Sequence, residues 1–99
     1  MLDDLIKVIR ERKDSQSNKS YTKQLINSGV KKCIDKLQEE FDELKDALKN
    51  NKQNVVHEAA DVIYHLLVSL EVTNIKFEDV LIELEKRKKQ SGIEEKNRR

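Results

Sequence analysis

The chain has no proline, no tryptophan, two glycines and one cysteine in 99 residues. Without proline nothing interrupts long helices, and strand-like alternation of apolar and polar residues is also missing, so a β architecture is disfavoured from the start. The single cysteine, Cys33, rules out an intrachain disulfide. It has no Cys or His neighbours at metal-ligand spacing, which leaves it the role of a buried or half-buried structural thiol. No long apolar run occurs at the N-terminus or elsewhere, so neither a secretory leader nor a membrane span is expected, and the chain reads as a soluble cytoplasmic protein with no membrane partner. An excess of one charge is missing too. Charged residues make up 39% of the chain, yet Lys plus Arg (20) and Asp plus Glu (19) leave a net charge of +1. No overall field favours nucleic acid, and any recognition of phosphate must be local.

What is present is helical periodicity. Leu2, Leu5, Ile6 and Ile9 share one face of a first helix from about Leu2 to Lys13, and the polar run from Asp14 to Lys19 breaks it. Ser20 is placed to cap a short helical turn through Leu25 and Ile26, which Asn27-Ser28-Gly29 ends. A long helix from Val30 to Lys49 follows, with Ile34, Leu37, Phe41, Leu44 and Leu48 as its expected seam. After the polar turn Asn50 to Asn54, Val55, Val56, Ala59, Val62, Ile63, Leu66, Leu67 and Leu70 make the next helix the most apolar and the expected centre of the core. A last helix begins after Asn74, with Val80, Leu81 and Leu84 expected to face inward. Its Lys86 to Lys89 run opposes the helix dipole, and Ser91-Gly92 stops it. The predicted architecture is therefore all-α, a bundle of four main helices in a single domain over residues 1–90, with a charged tail over 91–99. A chain this short buries a modest fraction of its surface, so completion of the bundle by a homodimer is expected.

The most informative pattern is Glu39-Glu40-x-x-Glu43, followed fifteen residues later by Glu58-x-x-Asp61. Residues three apart on a helix share a surface, so Glu40 and Glu43 form one pair, and Glu58 and Asp61 another. If the two helices fold back on each other about Asn50-Asn51, residues whose numbers sum to about 101 lie level, as 40 with 61 and 43 with 58 do. Close carboxylates repel by about 4 kcal/mol per pair at an effective dielectric near 20. Such a set calls for a cation, and an all-oxygen site suits a hard ion such as Mg2+ or Mn2+. The competing reading is a solvated acidic face, with Lys36 pairing with Glu40 four residues on. Helical phase sets Glu40 about 60° and Glu43 about 120° from the centre of the apolar seam, with Glu39 pointing away. His65 shares a flank with Glu58 and Asp61, whereas His57 is expected to point to the surface. Arg12, Ser20, Tyr21, Thr22, Lys23 and Lys36 are candidate phosphate ligands as cations, hydroxyls or helix N-terminal amides, Ser20 also having the simpler role of an N-cap.

The set Arg12, Ser20-Tyr21-Thr22, Gly29, Lys36-x-x-Glu39-Glu40-x-x-Glu43 and Glu58-Ala59-Ala60-Asp61-x-x-Tyr64-His65-Leu66-Leu67-Val68 resembles the phosphoribosyl-ATP pyrophosphohydrolase family, which acts second in histidine biosynthesis. The acidic motif alone is shared with the wider MazG-like group of all-α nucleotide pyrophosphohydrolases. The Ser-Tyr-Thr and Tyr-His-Leu-Leu-Val runs narrow the resemblance, and Phe77 to Arg87 and Gln90 to Lys96 extend it. Gln38 and Phe41 depart from it, standing where the family usually has glycine and a small residue, and the stretch from Leu44 to Leu48 is more charged than usual.

The resemblance implies a helical homodimer that cleaves phosphoribosyl-ATP to phosphoribosyl-AMP and pyrophosphate with Mg2+, Mn2+ being the alternative. It implies Glu40, Glu43, Glu58 and Asp61 as metal ligands and Glu39 as the residue that orients or deprotonates the attacking water. Arg12, Ser20, Tyr21, Thr22 and Lys36 are then phosphate contacts, with Tyr64 and His65 supporting the site. Fused relatives carry a cyclohydrolase with its own metal-binding cysteines; with no such set here, the next step is expected on a separate protein. Two other readings stay open: a house-cleaning pyrophosphohydrolase for ordinary nucleoside triphosphates, and a helical module whose seams only associate.

Overall fold

A computed structural model describes residues 1–15 and 20–89. Among the described residues five α-helices run in order: α1 (Leu2–Asp14), α2 (Tyr21–Asn27), α3 (Val30–Asn50), α4 (Val55–Val72) and α5 (Phe77–Lys88), with a 3-10 turn at Lys52–Asn54 between α3 and α4. No strand occurs among the described residues, and the all-α expectation holds. The end of the run from Asp14 to Lys19, the Ser91-Gly92 stop and the charged tail lie outside the described residues.

The helix ends follow from local chemistry. Acids in the first turns of α1 (Asp3, Asp4) and α5 (Glu78, Asp79), and bases in their last turns (Arg12, Lys13; Lys86, Arg87, Lys88), oppose the helix dipole at both ends. The Ser20 hydroxyl accepts from the Lys23 amide at 3.3 Å and caps α2 as expected. Gly29 joins α2 to α3 at φ 94° and ψ 168°, a backbone region open in practice only to glycine. A Cβ there would meet nothing within 4 Å, so the requirement for glycine is conformational and not steric.

The core gathers Ile6 and Ile9 of α1, Leu25 of α2, Cys33 of α3, Leu67 and Val68 of α4 and Phe77 of α5. Cys33 is buried as a structural thiol and donates to the Leu25 carbonyl at 3.3 Å. The dominant packing is the antiparallel α3–α4 hairpin, and it differs from the sequence expectation in phase. The line that α3 buries is Cys33, Glu40 and Ala47, while Ile34, Phe41 and Leu48 of the expected seam remain 56%, 52% and 59% exposed. On α5 the inward residues are Phe77 and Val80. Leu81 and Leu84 are exposed, because this helix touches the bundle mainly through its first turn.

Arg10 fastens α1 to the α4–α5 end of the bundle. Its guanidinium donates to both carboxylate oxygens of Glu78, at 2.7 and 3.0 Å, and to Glu71 at 3.3 Å. Lys13 adds bonds to the Glu71 carbonyl and to Asn74, both at 3.1 Å. The paired guanidinium holds the Glu78 carboxyl down at about 2, from an ordinary 4.5. A carboxylate with a depressed folded-state pKa contributes stability above its unfolded value, and that contribution fades as pH falls from about 4.5 toward 2. Arg10→Met should therefore lower the melting temperature at pH 7 by a few degrees, with the gap to the parent narrowing between pH 4.5 and 3. Thermal unfolding followed by circular dichroism across pH 3 to 7 checks this, and a gap independent of pH would show that the pair does not form in solution.

Candidate functional site

The α3–α4 hairpin sets the level of its acids. Carboxylate oxygens of Glu40, Glu43 and Glu58 lie within 4.8 Å of one another, and a second group at the same spacing joins His57, Glu58 and Asp61. Glu58 belongs to both, so all four acids of the pattern form one connected cluster. Glu40 occupies the middle of the buried line of α3 and is only 9% exposed. Its Oε2 atom, like Oε2 of Glu58, is sealed from solvent and has no hydrogen-bond partner among the described residues. Native proteins rarely leave a buried carboxylate oxygen unpaired, since each such atom costs the desolvation of a charged group.

The solvated-face reading required Lys36 to neutralise Glu40. Lys36 instead pairs with Glu39, three residues along, at 3.0 Å on the outer surface. Glu39 points outward as its helical phase predicts, and Glu40 is left without a cationic partner on its own helix. Burial, then the neighbouring Glu43, push the Glu40 carboxyl above its ordinary value. Glu58 is raised as well, by burial of its inner oxygen and then by Glu43. Two raised carboxyls around a third, with two oxygens sealed and unpartnered, fit a hard divalent cation, which supplies the missing positive charge to all three at once.

Beside the acids, α2 packs polar and aromatic groups against α4. The His65 ring nitrogen Nδ1 donates to the Asp61 carbonyl at 2.9 Å, which in the neutral ring leaves Nε2 to accept from the Tyr21 hydroxyl at 3.4 Å. The Thr22 hydroxyl is bonded to the Tyr64 hydroxyl. Rings of Tyr21 and Tyr64 stack at a centroid distance of 6.5 Å, and Tyr64 meets His65 edge-on at 5.2 Å. The two hydroxyl-bearing residues of the Ser-Tyr-Thr run that enter α2 thus face differently. Tyr21 is 51% exposed beside the site, while Thr22 is 1% exposed and turned inward. Ser20 is engaged as the cap, and Arg12 stands exposed in the last turn of α1.

Two residues noted in the sequence gain partners that it did not indicate. His57 is exposed as expected and places Nε2 3.3 Å from Oδ2 of Asp61. The i, i+4 spacing to Asp61 was the available signal. Gln38, at a position usually held by glycine, causes no crowding: its amide reaches along the exposed surface to Asp42 at 3.2 Å.

The model of the family described as phosphoribosyl-ATP pyrophosphohydrolase matches residues 2–88. Among curated proteins, a "Phosphoribosyl-ATP pyrophosphatase" of Roseobacter denitrificans is 43% identical over 99% of this chain and 94% of its own length. Proteins of the same name from Listeria welshimeri and Clostridium novyi are 44% and 38% identical, over 88% and 100% of this chain and 84% and 91% of theirs. These matches run through the acidic hairpin and the helices that support it, and the chain belongs to the phosphoribosyl-ATP pyrophosphohydrolase family.

Proposed function

We propose that the protein hydrolyses phosphoribosyl-ATP to phosphoribosyl-AMP and pyrophosphate, the second step of histidine biosynthesis, in the cytoplasm. The observation that carries this reading is the unpartnered, buried Glu40 carboxylate within a cluster of acids, in a chain of this family. Glu40, Glu43, Glu58 and Asp61 are the residues that would hold Mg2+, or Mn2+ in its place. A divalent cation bound there would supply positive charge beside the leaving pyrophosphate. Glu39, outside the sealed cluster, orients the attacking water or takes its proton as the new P–O bond forms at the α-phosphorus and the bond to the leaving pyrophosphate breaks. Lys36, Arg12, Ser20 and Tyr21 contact phosphates, and Thr22 holds Tyr64 in place through its hydroxyl. His65, fixed between the Asp61 carbonyl and Tyr21, supports the α4 edge of the site.

Ile34, Phe41 and Leu48 lie exposed along one line of α3, and Val56 and Ile63 of α4 are exposed as well. We assign the apolar line of α3 to a second copy of the chain, in line with the homodimer that the family resemblance implies. Large apolar side chains exposed along one helix line are a mark of an interaction face.

Three outcomes are expected. Purified protein with Mg2+ should release pyrophosphate from phosphoribosyl-ATP in preference to ATP, dATP, dCTP or dUTP, and EDTA should stop it. Glu43→Ala and Asp61→Ala should each cost about 100-fold or more in turnover with helicity retained; near-normal turnover of either would refute the metal assignment, and preference for ordinary triphosphates would move the protein to the house-cleaning group. Next, a raised folded-state carboxyl binds its proton more tightly than the unfolded chain does, so without divalent ions stability falls as pH rises from the ordinary carboxyl range through the raised value. Glu40→Gln should remove that cost and raise the melting temperature of the metal-free protein at pH 7 by about 3 to 6 °C. Added Mg2+ should then raise the melting temperature of the parent but not of the variant. Finally, Phe41→Glu should shift the protein from dimer to monomer in sedimentation velocity, and an unchanged sedimentation coefficient would place the partner elsewhere.

A further inference from the structure

Among the described residues, the buried polar or charged side chains are Thr22, His65 and Glu40. Glu40 belongs to the acid cluster, and each of the other two holds a tyrosine. The Thr22 hydroxyl is bonded to that of Tyr64, and His65, fixed through Nδ1 to the Asp61 carbonyl at 2.9 Å, accepts from the Tyr21 hydroxyl at 3.4 Å. Burying a hydroxyl or an imidazole costs free energy unless bonds satisfy it, and a satisfied buried network fixes one geometry. What is fixed here is the setting of two aromatic rings. The planes of Tyr21 and Tyr64 lie within 18° of each other, and His65 meets Tyr21 at 75° with a centroid distance of 6.2 Å. With these neighbours in place Tyr21 is still 51% exposed, so its ring is held rigidly but left uncovered. Its hydroxyl is within electrostatic reach of Lys36, Glu40 and Glu39, which sets the open ring at the edge of the acid cluster. The apolar core gives no reason for it, since α2 contributes Leu25 there and not Tyr21.

We propose that the open ring of Tyr21 is the surface on which the purine base of the substrate stacks, with His65 and Thr22 as positioning residues, His65 acting on Tyr21 directly and Thr22 through Tyr64. The proposal rests on the reading of the acid cluster as a pyrophosphohydrolase site: the acids serve the triphosphate, and Tyr21 takes the base joined to it. A tyrosine offers a large rigid face with only two torsions to fix, and bases stack on such faces through their own π-systems. The phosphate contact of Tyr21 uses its hydroxyl, at the far end of the side chain, and is separable from the ring by substitution.

The test compares Tyr21→Phe, which keeps the ring and loses the hydroxyl, with Tyr21→Leu, which loses both. Each full-length variant is assayed with Mg2+ for pyrophosphate release from phosphoribosyl-ATP and for its competitive inhibition by inorganic triphosphate, a probe with phosphates and no base. The KM for phosphoribosyl-ATP should be about tenfold or more higher in Tyr21→Leu than in Tyr21→Phe, while the inhibition constant of inorganic triphosphate differs by less than about twofold between them. Thr22→Val should raise the same KM severalfold, Thr22→Ser should restore it, and neither should change inhibition by inorganic triphosphate. Equal KM in Tyr21→Phe and Tyr21→Leu would overturn the stacking role. So would a Tyr21→Leu protein that loses substrate and inorganic triphosphate alike, because the ring would then only brace the site. Thr22→Val that lowers the melting temperature but leaves KM unchanged would reduce Thr22 to a packing residue. A parent protein that turns over phosphoribosyl-ATP with one KM shared by both Tyr21 variants refutes the stacking alone, whereas a parent that does not turn it over refutes the stacking and the reading of the site together.

Discussion

Burial of Glu40 between α3 and α4 is the constraint on which the site depends. A carboxylate that is 9% exposed and short of a partner is tolerated only where surrounding structure holds it in place. That structure is the hairpin itself. The turn through Lys52–Asn54 fixes the register, so Glu43 comes level with Glu58, and both raised carboxyls have Glu43 as a neighbour. Slippage of one helical turn would separate the acids and relieve their repulsion, so the hairpin must be stabilised by contacts that do not involve them.

Those contacts lie further along α4. Its Leu67 and Val68 pack with Ile6 and Ile9 of α1, Leu25 of α2, Cys33 of α3 and Phe77 of α5. Arg10 and Lys13 then tie α1 to the end of α4 through Glu71, Glu78 and Asn74. The chain thus separates its stabilising groups from its acids along one helix. Apolar packing and cross-helix ion pairs hold the second half of α4, and its first half carries the charges that work against folding. Such an arrangement matches the general conflict between stability and a strained functional site.

Much of this was legible in the sequence. Helix positions followed from apolar spacing and caps, and the meeting of Glu40, Glu43, Glu58 and Asp61 followed from arithmetic about one turn. The failures have a common physical cause. Periodicity tells which residues share a face but not which face a neighbour occupies, so Ile34, Phe41 and Leu48 were placed inward although Cys33, Glu40 and Ala47 are. Leu81 and Leu84 failed the same way, on a helix that packs by one end. Lys36 had two acids within reach, at three and four residues, and spacing alone does not choose between them; the buried position of Glu40 left Glu39 as the partner. His57 is at the surface as its phase indicates, but helical phase describes where Cβ points and does not show that the imidazole is long enough to turn back to Asp61.

The two lines on α3 are one residue apart, and so about 100° apart around the helix. A rotation by that angle would bury Ile34, Phe41 and Leu48 and lift Glu40 into water, which looks better on hydrophobic grounds alone. Each of those side chains is about half exposed, so the single chain forgoes roughly 3 to 5 kcal/mol by not turning. What opposes rotation is shape and the rest of the core. Cys33 and Ala47 are small enough to let α3 lie close against its neighbours, and Cys33 is locked to the Leu25 carbonyl across the α2–α3 junction at Gly29. The apolar energy left on the outer line is then available for association with a second copy. Turning Glu40 inward and the apolar line outward is thereby a single choice of helix phase: the face that the proposed metal site would need within one chain leaves over the face that the proposed dimer would need between two.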